Sequence, residues 1–135
     1  MADLVITAAN VRAGNGSKRR VGVAGATITP GQPVYLDPAD DRYKLADCDG
    51  AAALRSPRGI ALSGAANGQP LFVHASGPIT IGATLAPGTA YYLSDTPGGI
   101  CPVGDLSTGD SPVLLGIATS ATVLDFQIQE SGVEL

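Results

Sequence analysis

The sequence predicts an all-β domain, a small β-sandwich or barrel built from two tandem copies of one strand-and-turn unit. Three observations point that way. Gly (18) and Pro (10) punctuate the 135 residues densely, yet apolar runs lie between them, so they read as turn residues rather than as a disordered composition. The runs are short and several alternate with a period of two, the signature of half-buried strands. One stretch of sequence also recurs at a fixed offset.

The recurrence defines the organisation. Gly25-Ala26-Thr27-Ile28-Thr29-Pro30-Gly31-Gln32-Pro33-Val34-Tyr35-Leu36 returns as Gly82-Ala83-Thr84-Leu85-Ala86-Pro87-Gly88-Thr89-Ala90-Tyr91-Tyr92-Leu93, a shift of 57. The same shift carries Gly59-Ile60-Ala61 and Ser63 onto Gly116-Ile117-Ala118 and Ser120, whereas Ser76-Gly77 echoes Ser131-Gly132 at a shift of 55. The chain therefore divides into an N-terminal arm over residues 1–19 and a β domain over 20–135, with repeats at 20–77 and 78–132.

Within each copy the strands are placed by alternation. From Leu124 onward, Leu124, Phe126 and Ile128 share one face while Asp125, Gln127 and Gln129 share the other. Residues 71–75 are the counterpart in the first copy. Residues 20–24 and 79–81 are expected to turn Val21, Val23, Ile79 and Ile81 inward. Pro30-Gly31 and Pro87-Gly88 suit the centre of a type II turn, where Pro fixes a negative φ and Gly accepts the positive φ that follows. At most one short helix is expected, over residues 49–55, with Asp49 as its cap and Ser56-Pro57 as its end. In the second copy that region becomes a Gly- and Pro-rich loop over 97–112.

Composition bounds the function. The apolar content of 44% is ordinary, but with no Trp, two Phe and four Tyr the core is aliphatic. A net charge of −4 with only 15% charged residues argues against a nucleic-acid binder, and no direct nucleic-acid partner is expected. The charge is unevenly spread: all eight Lys and Arg lie at or before Arg58 beside six acids, and six acids without a cation follow. No run approaches the roughly 20 apolar residues of a membrane span, and the first residues lack the apolar stretch of a secretory leader. No membrane partner is expected, and the product is expected to be soluble and made in the cytoplasm. Cys48 and Cys101 fit no metal spacing and are expected as two half-buried free thiols.

Chemistry-bearing patterns are sparse, and no catalytic residue, metal site or cofactor is expected. His74, the one imidazole, lies in an alternating strand, a context more typical of an edge residue than of a general base. Gly14-Asn15-Gly16-Ser17-Lys18 lacks the four-residue spacing of a phosphate loop and reads as a flexible hinge. Asp37, Asp40, Asp41, Asp47 and Asp49 are expected to form turns. A calcium ion needs six to eight oxygens, and Asp47-Cys48-Asp49-Gly50 matches only a fragment of an EF-hand loop. Lys18, Arg19 and Arg20 form either a contact for phosphates or an acidic protein surface, or a solvated cluster at a strand start. Among the tyrosines, Tyr35 and Tyr92 are expected in the core, whereas Tyr91, which replaces Val34, is the interface candidate.

The run from Gly82 to Ser94, followed by Pro97-Gly98-Gly99-Ile100 and by Gly116-Ile117-Ala118-Thr119-Ser120-Ala121-Thr122, resembles segments of tailed-bacteriophage virion proteins. It is most similar to the small capsid cement, or head decoration, proteins, and similar stretches occur in tail fibres. The resemblance covers roughly residues 21–128 and rests on turn and strand patterns. It implies binding to the outside of an assembled head, with the major capsid protein as partner and a homotrimer as the assembly. It carries no catalytic residue. In that setting the strand-like Leu4-Val5-Ile6-Thr7 of a mobile arm is expected to add to a capsid-protein or neighbouring sheet edge. Leu4, Val5, Ile6, Lys18, Arg19, Arg20 and Tyr91 are then the expected contacts. The alternative is a phage tail or fibre-associated receptor-recognition module, in which the Gly- and Pro-rich loops do the binding.

Overall fold

In the computed structural model, which describes residues 3–50, 54–106 and 108–130, with Val103 described by its backbone alone, the chain is all-β. Among the described residues ten antiparallel strands form one curled sheet: β1 (Val11–Ala13), β2 (Lys18–Val23), β3 (Pro33–Asp37), β4 (Arg42–Leu45), β5 (Gly59–Ala61), β6 (Pro70–Ile81), β7 (Ala90–Leu93), β8 (Ile100–Pro102), β9 (Val113–Ala118) and β10 (Val123–Glu130). Their main order is β4-β3-β5-β6-β10-β9-β7-β8, with β1 and β2 also paired to β6.

The twelve-residue β6 is the spine. Residues 70–76 pair with β2, with β5 meeting them at Val73 and His74, and residues 77–81 pair with β1 and β10. Leu71, Val73, His74, Ile79 and Ile81 of this strand are all fully buried. One core cluster joins Ala24, Ile28, Val34, Tyr43, Leu71 and Val73. A larger one joins Ile60, Ile79, Ile81, Leu93, Ile100, Leu115, Leu124 and Phe126. Removing a side chain such as Phe126 from water is worth on the order of 1.5–3 kcal/mol.

The two related segments carry the same backbone bonds at the same offset of 57. Gly31 N–H donates to Ala61 O at 2.9 Å and Gly88 N–H to Ala118 O at 2.7 Å; Ala61 N–H donates to Gln32 O at 2.9 Å and Ala118 N–H to Thr89 O at 3.0 Å. Both turn glycines have positive φ, 94° and 83°, as a type II turn requires. The strand after each turn meets a glycine, Val34 opposite Gly59 and Tyr91 opposite Gly116. A Cβ on either glycine would collide with backbone of the neighbouring strand, at His74 and at Asp125 respectively. Glycine therefore lets three strands close up at both places.

Several expectations are corrected. Val21 is 67% and Val23 38% exposed, because the chain here turns Gly22 and the following Ala24 inward; the Tyr43 ring fills the space over Gly22 where a side chain would sit. The arm is not a mobile tail. Leu4 N–H donates to Ile100 O and Thr7 N–H to Gly82 O, both at 2.8 Å, and Leu4 and Ile6 pack against the larger core. Residues 14–17 form a turn joining β1 to β2, fixed by Gly14 N–H to Pro78 O at 2.7 Å, and not a hinge. Within the expected 97–112 loop, Ile100 and Cys101 are buried on β8, which pairs with β7. Of the expected helix, residues 51–53 lie outside the described residues; the flanking Asp49, Gly50, Leu54 and Arg55 are bends and turns. Short 3-10 turns occur at Ala8–Asn10 and Val103–Asp105.

Candidate contact surface

β2 is exposed at every residue but Gly22, and its placement on β6 makes a patch. Val21 lies opposite Phe72. Phe72 donates its N–H to Ser63 Oγ at 3.1 Å and accepts Leu62 N–H at 2.8 Å. Both its backbone groups thus face β5, which makes Val21 and Phe72 a non-hydrogen-bonded pair with closely spaced side chains. Phe72 is 49% exposed. Two large apolar side chains therefore share one outer face with Arg19, and Lys18 and Arg20 flank them along the strand, Arg20 turned to the opposite face across from Val73. No ion pair joins these three to another described residue. Arg20 and Arg58 also line a recess of about 500 Å³, with Ser56 and Glu130 on its wall. Glu130 there accepts a 2.6 Å hydrogen bond from the Ser56 hydroxyl.

The remaining expected contacts scatter. Val5 is 87% exposed, while its neighbours Leu4 and Ile6 point into the core. Val5 instead borders an open recess of about 540 Å³ with Thr7, Asn10, Arg12, Thr80 and Thr122. Tyr91 is a core residue at 4% exposure, and its hydroxyl accepts Ala86 N–H at 3.0 Å. It takes the inward position that Val34 holds in the first copy. A register shift between Tyr91 and Tyr92 leaves Tyr92 half-buried, beside Pro112, Leu114, Gln129 and Glu130. The expected faces of the pair are therefore reversed: Tyr91 points into the core and Tyr92 is the more exposed. Sequence reasoning missed Phe72 altogether, although the alternation of residues 71–73 already set Phe72 opposite to Leu71 and Val73.

The other candidates are built into the framework. His74 is fully buried rather than at an edge. Its Nε2 lies 2.8 Å from Gly77 O and its ring packs on Phe126 with centroids 5.7 Å apart. Burial holds its pKa below the ordinary imidazole value, and the charge of Arg19 adds to that. Asp37 and Asp40 shape the β3–β4 turn by accepting Ala39 N–H and Arg42 N–H, and both pair with Lys44, at 2.7 and 3.2 Å. Asp41 adopts a left-handed conformation (φ 56°) in the same turn, and Asp47 accepts Gly50 N–H at 2.7 Å. Cys48 and Cys101 are free and fully buried rather than half-buried.

One grouping was invisible in the sequence. Carboxylate oxygens of Asp49, Asp95 and Asp110 lie within 4.8 Å of one another. Partial burial raises the Asp95 pKa, and the charges of Asp110 and Asp49 add to it. Residues so far apart in the chain gave no motif. Among the described residues no helix is long and apolar enough to cross a membrane. Comparison with protein-family models and with curated proteins finds no match for this chain.

Proposed function

We propose that the chain is a non-catalytic structural protein of a bacteriophage virion that binds the outer surface of the capsid, against the major capsid protein, and stabilises the assembled head, as a homotrimer. The sequence resemblance to cement proteins motivates this reading. The structural observation that supports it most is the Val21–Phe72 pair with its flanking cations. A rigid sheet that offers exposed apolar area and positive charge along one edge has what a docking protein needs, namely area for affinity and charge for steering.

The test is cosedimentation of the purified chain with expanded, DNA-free phage heads stripped of decoration protein. Wild type is expected to pellet with the heads and to raise their melting temperature. Phe72→Asp and Arg20→Glu are expected to stay in the supernatant while keeping the wild-type circular dichroism spectrum. Wild-type protein that remains in the supernatant at saturating head concentration ends the proposal.

A further inference from the structure

We propose that the open edge of β2 is a docking site for an extended, acidic segment of a second protein, which joins the sheet as an additional strand. The first ground is geometric. Among the described strands β2 pairs with β6 alone, and because the backbone groups of Phe72 face β5, the N–H and C=O of Val21 opposite it point away from β6. Alternation directs those of Arg19 the same way, whereas beyond Val21 the edge is met by β4, where Tyr43 bridges Ala24 and accepts Gly25 N–H at 2.7 Å. An unpaired edge of this kind is a template for strand addition.

The second ground is internal. At the offset of 57 the counterpart of residues 21–24 is residues 78–81, and there the corresponding edge is occupied. β1 pairs with it, Val11 opposite Ile81, Arg12 opposite Thr80 and Ala13 opposite Ile79. The chain's own arm thus supplies in one half the strand that β2 lacks in the other.

Charge identifies the occupant. Lys18, Arg19 and Arg20 line the strand, and Arg20 shares its recess with Arg58. A segment alternating acidic and β-branched residues would set carboxylates beside Arg20 on one face and apolar side chains beside Val21 and Phe72 on the other. A second copy of this chain is a poor match. Pairing two β2 edges would bring six cations together, and the described strands of the acidic half are taken on both sides: β7 by β8 and β9, β9 by β7 and β10, β10 by β6 and β9. β8 is three residues long, includes Pro102 and is bonded at Ile100 by Leu4. The inference goes beyond the capsid reading and does not rest on it.

The experiment is amide hydrogen exchange by NMR on the full chain. The probe is an end-blocked eight-residue peptide of alternating Glu and Val, and the control is the matching Lys–Val peptide. The Glu–Val peptide is expected to slow exchange at Arg19 and Val21 at least tenfold, and the control to leave it unchanged. Val21→Pro, which deletes the outward N–H, is expected to abolish binding. Should that variant not fold, Arg19→Glu with Arg20→Glu is expected to reverse the preference towards the Lys–Val peptide. No protection at millimolar peptide, protection confined to other strands, equal protection by both peptides, or binding unaltered in the variants would each overturn the proposal. Because no head takes part, its failure and that of the capsid reading are separable.

Discussion

His74 donates from Nε2 to the carbonyl of Gly77, 2.8 Å away, while its Nδ1 is buried without a hydrogen-bond partner. A carbonyl only accepts, so the ring is the neutral Nε2–H tautomer, and a proton on Nδ1 would be a buried charge with nothing to bond. The folded-state pKa therefore lies below the unfolded value of about 6.5. Between those two values the unfolded chain binds the proton and the folded one does not, so stability is complete above pH 6.5 and declines as the pH falls towards the folded value. Urea midpoints followed by circular dichroism from pH 7.5 to 5 are expected to fall in wild type. In His74→Leu that part of the slope should be missing; an unchanged slope would show that other groups cause it.

Cys48 and Cys101 are both pushed up to about 12, chiefly by burial and further by nearby acids, Asp110 among them for both thiols. The thiolate is the nucleophile, and at pH 8 a thiol with such a pKa is ionised roughly one part in ten thousand. Treatment of the native protein with iodoacetamide is expected to leave both thiols unmodified over hours, and the same treatment in 8 M urea to add two carbamidomethyl groups by mass. Rapid native labelling would contradict the buried placement.

Tyr91 and Tyr92 are adjacent but do different work, so they should respond differently to truncation. Tyr91→Phe removes the acceptor of the Ala86 N–H and, because Ala86 is exposed to water, is expected to cost the net worth of one hydrogen bond, about 0.5–1.5 kcal/mol, in urea unfolding. Tyr92→Phe should cost less than about 0.5 kcal/mol, as changes on partly exposed surfaces usually do. Equal costs would mean the register shift between the two residues is misplaced.

What could be read in advance depended on whether a signal was local. The Pro-Gly turns were legible because φ preferences act within two residues, and the faces of β10 because alternation is a property of the strand itself: Leu124 and Phe126 are buried, Gln127 and Gln129 exposed. The direction of β2 was not legible. Val21 and Val23 look like core residues, and only the Tyr43 ring, arriving from β4, reserves the inner face for Gly22. The same holds for the contact surface. Lys18, Arg19 and Arg20 announced themselves by charge, whereas Phe72 became a candidate through its pairing with an exposed Val21. The Asp49–Asp95–Asp110 grouping depends on which loops the sheet brings together.

The two turn glycines offer a sharper test of how the arm is attached. Gly31 and Gly88 share a positive φ, for which any Cβ costs about 1–2 kcal/mol. Nothing lies within 4 Å of a Cβ built on Gly88, but one on Gly31 would approach Ile6 Cγ2 to 2.6 Å and Ile6 Cδ1 to 3.3 Å. Gly31→Ala should therefore cost about 1–3 kcal/mol more than Gly88→Ala, the usual penalty for overfilling a packed site. Ile6→Ala removes both of these carbons and leaves only Val11 Cγ2, at 3.3 Å, so in that background most of the extra cost of Gly31→Ala over Gly88→Ala should vanish. The two glycines are equivalent in backbone and differ in the presence of the arm, so the coupling energy of this double-mutant cycle reports directly on Ile6. A cost for Gly31→Ala that is the same with and without the Ile6 side chain would mean that the arm does not lie against the first turn in solution.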